Sequence, residues 1–218
     1  MRYAPLLALV LLGACGGPPP PVVAPPPVEG PKAAWTEYYL PLVVGSEYVY
    51  ASQYQGNATI TTLKVKAGGG KTAFYTDGGP GKALVGSSFF KGVAEVRPDG
   101  IYAAPADDEA AAANPPALMK ILSTPVNLGE ELSLQSPELD ARTAKLAGTK
   151  RMVDIKIKPT VVGKLTVRAG TFDTIELHIK DGNGEESKVW LSKGVGVIKW
   201  ERASGRVEEL DSFKIPKN

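Results

Sequence analysis

From residue 35 onward the chain reads as short apolar-polar alternations separated by glycine-bearing breaks. In "TIELHIK", Ile175, Leu177 and Ile179 share one face while Glu176, His178 and Lys180 take the other, as the period-two geometry of a strand dictates. "VDIKIK" repeats the pattern and places Val153, Ile155 and Ile157 inward. The same reading predicts strands over 48–54, 59–66, 72–76, 92–97, 100–103, 131–135, 141–146, 152–158, 163–168, 172–180, 187–191, 195–202 and 207–213, rich in Val, Ile, Thr, Tyr and Phe. "DGNGEE", residues 181–186, supplies turn residues between two of them, and Ala169-Gly170 supplies a turn or bulge before Phe172. Regular spacing of this kind predicts a mainly β domain with hairpin connections in an antiparallel sheet.

Helical signals are short. Asp107–Ala113 would make about two turns with acidic residues at the positive end of the dipole. Pro116–Leu122 would make a second short helix opened by proline and stopped before Pro125. Neither is long enough for the crossover that a parallel sheet needs.

Two segments share a pattern of proline, apolar, any, apolar, glycine, any and glutamate, followed by alternating apolar positions: "PLVVGSEYVY" at 41–50 and "PVNLGEELSL" at 125–134. They fit either a worn internal repeat or two independent glycine turns, each launching a strand.

The region before residue 35 has no core-forming pattern. Residues 16–33, "GGPPPPVVAPPPVEGPKA", are dominated by proline, which favours polyproline II and cannot join a sheet ladder. At about 3.1 Å per residue such a spacer reaches roughly 50 Å. Ahead of it, Met1 and Arg2 give a positive start and residues 5–14 an apolar run of about ten, half of the roughly 20 needed to cross a bilayer. That layout is a secretory leader. The run ends at Cys15, the only cysteine in the chain, so no internal disulfide is available to it.

Leu12-Gly13-Ala14-Cys15 resembles a bacterial lipobox. The resemblance implies signal-peptidase recognition of Leu12, Gly13 and Ala14, and diacylglyceryl attachment with N-acylation (palmitate) at Cys15. Several acyl chains hold durably where one holds only marginally. Gly16, in place of the aspartate that favours inner-membrane retention, implies an outer-membrane address facing the periplasm. The expected organisation is thus a leader over 1–14, a lipidated cysteine with a proline-rich linker over 15–34, and one β-rich domain over 35–218.

Loss of the leader removes Arg2 and leaves 24 basic against 23 acidic residues, a balance that gives no electrostatic case for nucleic acid. Candidate chemistry is sparse. His178 is the only histidine and lies on a polar strand face beside Glu176 and Lys180, so no histidine metal site and no Ser-His-Asp arrangement is expected. Asp107, Asp108 and Glu109 read as a helix start and lack the alternating oxygen ligands of a calcium loop. The GxG of "WLSKGVGVIKWE" has no helix behind it and is not a phosphate loop. No catalytic residue, metal ligand or cofactor is assigned.

"YYLPLVVGSEYVY", "VRAGTFDT", "VWLSKGVGVIKW" and "EELDSF" are similar, in that order, to bacterial lipoproteins and secreted proteins with a YPLxxGxxWxY, VPAGTF and GVGxV pattern. Tyr48 stands where tryptophan is usual and Arg168 where proline is. The resemblance implies an envelope location and a single antiparallel, strongly curved sheet, open or a half barrel, like that of the LolA/LolB group, and brings no catalytic residues.

The expected function is a binding or scaffold module for a lipid or other hydrophobic ligand, with no enzymatic activity. Trp35, Phe74, Phe89, Phe90, Trp190 and Trp200 are candidates to line an apolar cavity, or else ordinary core. The alternatives are an interaction lipoprotein with a packed interior that binds an envelope protein, and a hydrolase using carboxylates brought together by folding.

Overall fold

A computed structural model describes residues 39–67, 73–77, 92–105, 117–137, 152–182 and 184–216. They form twelve strands: β1 Glu47–Tyr54, β2 Asn57–Ala67, β3 Ala73–Asp77, β4 Gly92–Arg97, β5 Gly100–Pro105, β6 Met119–Ser123, β7 Leu132–Pro137, β8 Met152–Val167, β9 Gly170–Asp181, β10 Glu186–Ser192, β11 Gly196–Glu201 and β12 Val207–Lys214. All belong to one antiparallel sheet in the order β6-β5-β4-β3-β2-β1-β12-β11-β10-β9-β8-β7. Every ladder but β1 with β12 joins sequence neighbours, so the mainly β meander expected from the turn spacing is present.

The sheet rolls without closing into a barrel. Its edge strands β6 and β7 are consecutive in sequence, and the connection between them ties both edges. Thr124 N–H donates to Asp99 O (3.1 Å), Ser123 Oγ donates to Glu130 Oε1 (3.3 Å), and Gly129 N–H donates to Pro159 O (2.7 Å). Inside the roll, apolar side chains from β1, β2, β4, β5, β6 and β8 to β12 join Leu40 and Leu42 in one cluster. Leu177, Val189, Ile198 and Leu210 at its centre are completely buried. The alternation read from sequence is the cause: Ile175 and Leu177 are buried and Ile179 packs against the cluster, while Glu176 and His178 face outward. Ile157 is buried and Ile155 half-buried.

The two halves of the meander begin alike. Val43–Ser46 is a turn closed by Ser46 N–H to Val43 O (3.0 Å), with Gly45 at φ +89°; Asn127–Glu130 is closed by Glu130 N–H to Asn127 O (3.2 Å), with Gly129 at φ +85°. Both glycines occupy the third turn position, where a positive φ is required. Each then donates its N–H across to the second strand of its own half, Gly45 to Val65 O (2.9 Å) and Gly129 to Pro159 O. The glutamates two residues on, Glu47 and Glu131, pair with Lys64 (3.4 Å) and Lys156 (2.8 Å) of those strands. Both segments are therefore glycine turns launching strands, and they stand at equivalent places six strands apart. Gly129→Ala is expected to lower stability by about 1–2 kcal/mol through backbone strain alone, since a Cβ there meets nothing within 4 Å. Denaturant unfolding checks this, and Gly45→Ala, which adds a 3.4 Å approach to Pro216, should lose at least as much.

Two expectations are corrected. Residues 119–122 of the expected Pro116–Leu122 helix form β6, where Leu122 pairs with Ile101 and Lys120 with Tyr102. Burial of Ile121 and Leu122 there, with Lys120 held by Asp99 and set 5.5 Å from the Tyr102 ring, outweighs the weak helix preference of so short a run. The expected strands 152–158 and 163–168 are one strand, β8. Pro159 sits at a register shift between Pro159 and Val161, a place where a missing N–H is tolerated. The expected helix 107–113 and strand 141–146, with residues 1–34, lie outside the described residues.

Candidate functional site

The inner face is not apolar throughout. In β1, Tyr48, Tyr50 and Ser52 alternate inward, and cross-strand register sets Ser52 between Thr59 of β2 and Glu208 of β12. Glu208 in turn lies opposite Trp200 of β11. Alternation with the completely buried Leu210 leaves Glu208 no outward option, and it is 2% exposed.

The β11–β12 turn supplies its counter-charges. Arg202 N–H donates to Arg206 O (2.9 Å) and Gly205 N–H to Arg202 O (2.9 Å), with Gly205 at φ +80°, so the two arginines flank a tight reversal. The Arg202 guanidinium lies 3.9 Å from the centre of the Trp200 ring, and its Nε donates to Glu208 Oε2 at 2.8 Å. Arg206 Nε lies 3.6 Å from Glu208 Oε1 and donates to Ser52 Oγ (2.6 Å), while its terminal nitrogen donates to Thr59 Oγ1 (3.4 Å). One buried carboxylate, two guanidinium groups and two hydroxyls thus bind the β1–β2 and β11–β12 hairpins together. Burial, against the pull of Glu208, draws the Arg202 guanidinium below its ordinary value.

Beside this cluster, Tyr50 Oη donates to Val197 O (3.0 Å). Burial pushes the Tyr50 phenol well above its ordinary 10.0, and the neighbouring Tyr48 and Glu208 push the same way. Burial raises Tyr48 too, with the Ser46 hydroxyl opposing. A phenol whose proton is held more tightly in the folded state stabilises fully below the unfolded value and loses that contribution as pH rises through the folded one. Domain stability is therefore expected to fall above about pH 10. Unfolding midpoints taken from pH 8 to 11.5 test this, and Tyr50→Phe should flatten the decline.

On the outer face, His178 Nε2 meets Glu176 Oε1, and Lys188 lies 3.7 Å from the same oxygen. Trp190 is half-buried under Lys199 (5.6 Å), which bridges Glu201 and Glu209 at 3.1 Å each. Trp190 and Trp200, both candidates for a cavity lining, therefore lie on opposite faces: Trp200 is core beneath Arg202, and Trp190 belongs to a surface ion-pair ladder. Trp35, Phe89, Phe90, the acidic cluster Asp107, Asp108 and Glu109, and the lipobox residues Leu12, Gly13, Ala14 and Cys15 lie outside the described residues, as does the side chain of Phe74. Among the described residues no three His, Cys, Asp or Glu converge as metal ligands would. A solvent-open depression of about 400 Å³ lies along β7 and β8, lined by Ser133, Leu134, Gln135, Asp154, Ile155 and Lys156.

The buried Arg202-Glu208-Arg206 cluster was not anticipated from sequence. Its signal was present in "ERASGRVEEL": two adjacent glutamates in a strand cannot both face water, and two arginines bracket the preceding turn.

No protein-family profile matches the chain, and no curated protein matches it. Among solved structures it is similar to a protein of Bacteroides fragilis inferred to be exported, with a YmcC-like fold, at 14% identity and a TM-score of 0.41, covering 78% of this chain and 96% of that one. It is also similar to a protein of Parabacteroides distasonis inferred to be a lipoprotein, at 12% identity and a TM-score of 0.43, covering 81% and 98%.

Proposed function

We propose that the chain is an outer-membrane lipoprotein, anchored through Cys15 and facing the periplasm, whose rolled sheet acts as an interaction module for an envelope protein and not as an enzyme. The anchor rests on the order of charged start, short apolar run, small residues and cysteine over 1–15. One observation supports a protein partner over an acyl-chain ligand: completely buried side chains from β9, β10, β11 and β12 join those of β2 and β5 in one packed cluster among the described residues. A binding role is supported over hydrolysis because the inward carboxylate, Glu208, is engaged by two guanidinium groups, and Glu176, Glu201 and Glu209 are engaged by Lys188 and Lys199.

Metabolic labelling with a clickable palmitate analogue tests the anchor. The wild-type chain is expected to label and sediment with membranes, and Cys15→Ser to do neither; an unlabelled wild type overturns the proposal. Organic extraction of the purified Cys15→Ser chain tests the interior. Stoichiometric bound lipid by mass spectrometry would replace the interaction reading with a lipid-binding one.

A further inference from the structure

β7 covers only part of its neighbour. Its ladder with β8 ends at Leu132 opposite Ile157, whereas β8 continues to Val167 and stays paired with β9 throughout. The far end of the β8–β9 ribbon, at its turn, leans onto β12: Ala169 N–H donates to Leu210 O (3.2 Å), Arg168 pairs with Asp211 (3.3 Å), and the Phe172 and Phe213 rings lie 6.1 Å apart. The side of β8 turned away from β9, over Thr160–Thr166, pairs with no strand among the described residues. In an antiparallel ladder every second residue turns its N–H and C=O to each side, so this edge presents a row of main-chain donors and acceptors.

The edge carries few of the devices that block pairing. It is β-branched, contains no proline between Thr160 and Val167, and has one charge, Lys164. Val161 and Val162 are 53% and 60% exposed, high for side chains of this type, and a Cβ on Gly163 would meet nothing within 4 Å.

We propose that this edge pairs with the same edge of a second copy of the chain, antiparallel about a twofold axis through Gly163. The sequence "TVVGKLT" is self-complementary about that point. Val161 then faces Leu165 of the second copy on one side of the joined sheet, Thr160 faces Thr166 on the other, and the aliphatic stem of Lys164 lies along Val162. A symmetric contact of this kind uses one patch twice and closes on itself. Seven residues a side bury less than the roughly 1,200–2,000 Å² of a standard stable interface, so the pair is weak in dilute solution and gains from copies held on a common surface. The self-pairing stands without the lipid anchor, which affects only its extent.

Disulfide capture tests the register. In the full-length chain expressed in cells, Gly163→Cys should give an oxidised homodimer several-fold above Ile60→Cys, a control at an exposed position on β2, and above the parent chain. In the Gly163→Cys background, Val162→Lys sets like charges opposite Lys164 at both symmetry-related positions and should lower the dimer yield about fivefold, whereas Val162→Glu should raise it. Coexpressed Val162→Cys and Lys164→Cys chains, which keep the glycine, should cross-link to each other and not to themselves. The proposal is overturned if Gly163→Cys cross-links no more than Ile60→Cys or the parent chain, if lysine and glutamate at 162 act alike, or if the captured partner is another protein.

Discussion

Glu208→Gln is expected to lower the stability of the β domain by about 3–5 kcal/mol, because it leaves two guanidinium groups on the inner face without their counter-ion. Glu208 is 2% exposed, and the side chains of Arg202 and Arg206 are 11% and 13% exposed, so water does little to compensate. A shift in urea midpoint at pH 7 with an unchanged denaturant slope would register the loss. The converse experiment separates a broken pair from a removed one. Replacing Glu208, Arg202 and Arg206 together by Leu, Met and Met also removes the desolvation penalty of all three charges, and should recover most of the stability lost by Glu208→Gln. If the single substitution moves the midpoint no more than a surface change does, the cluster is not a clasp between the two hairpins.

Leu177→Ala should be comparably severe, at about 2–5 kcal/mol. Leu177 is completely buried in the middle of β9, between Pro159 of β8 and Val189 of β10. The ladders on both sides fix its backbone, so the surroundings cannot collapse into the space that truncation leaves. Ile60→Ala provides the contrast: Ile60 is 59% exposed on β2 and its truncation should change stability by less than about 0.5 kcal/mol. Equal losses at the two positions would contradict the assignment of an inside and an outside to the sheet.

The alternation in "TIELHIK" was legible because one face of β9 is dry and the other carries charges, so hydropathy and geometry agree. Turns at Gly45, Gly129 and Gly170 were legible for a local reason, the positive φ that glycine adopts at little cost. What sequence did not reveal depends on partners distant along the chain. β6 is a strand because β5 lies beside it, and a run with Leu, Met and Lys carries no local sign of that neighbour. The gap between the expected strands 152–158 and 163–168 holds Pro159, which the bulge places where no ladder donor is needed. The buried carboxylate was hidden because charge normally signals an outward face. Alternation along "VEEL" turns one of its two glutamates inward, pairing with Trp200 and Ser52 shows that it is Glu208, and the counter-charges that make this tolerable come from a turn.

The ladder between β1 and β12 pairs residues as far apart as Glu47 and Lys214, while every other ladder closes a connection between consecutive strands. Hairpins can zip in microseconds, but this stitch cannot begin until the last strand has been made. During synthesis the first half of the meander therefore waits with one flank of β1 unsatisfied for the remaining length of the chain. That wait is the interval in which a newborn copy is most exposed to wrong partners, and it ends only when residues 207–214 arrive.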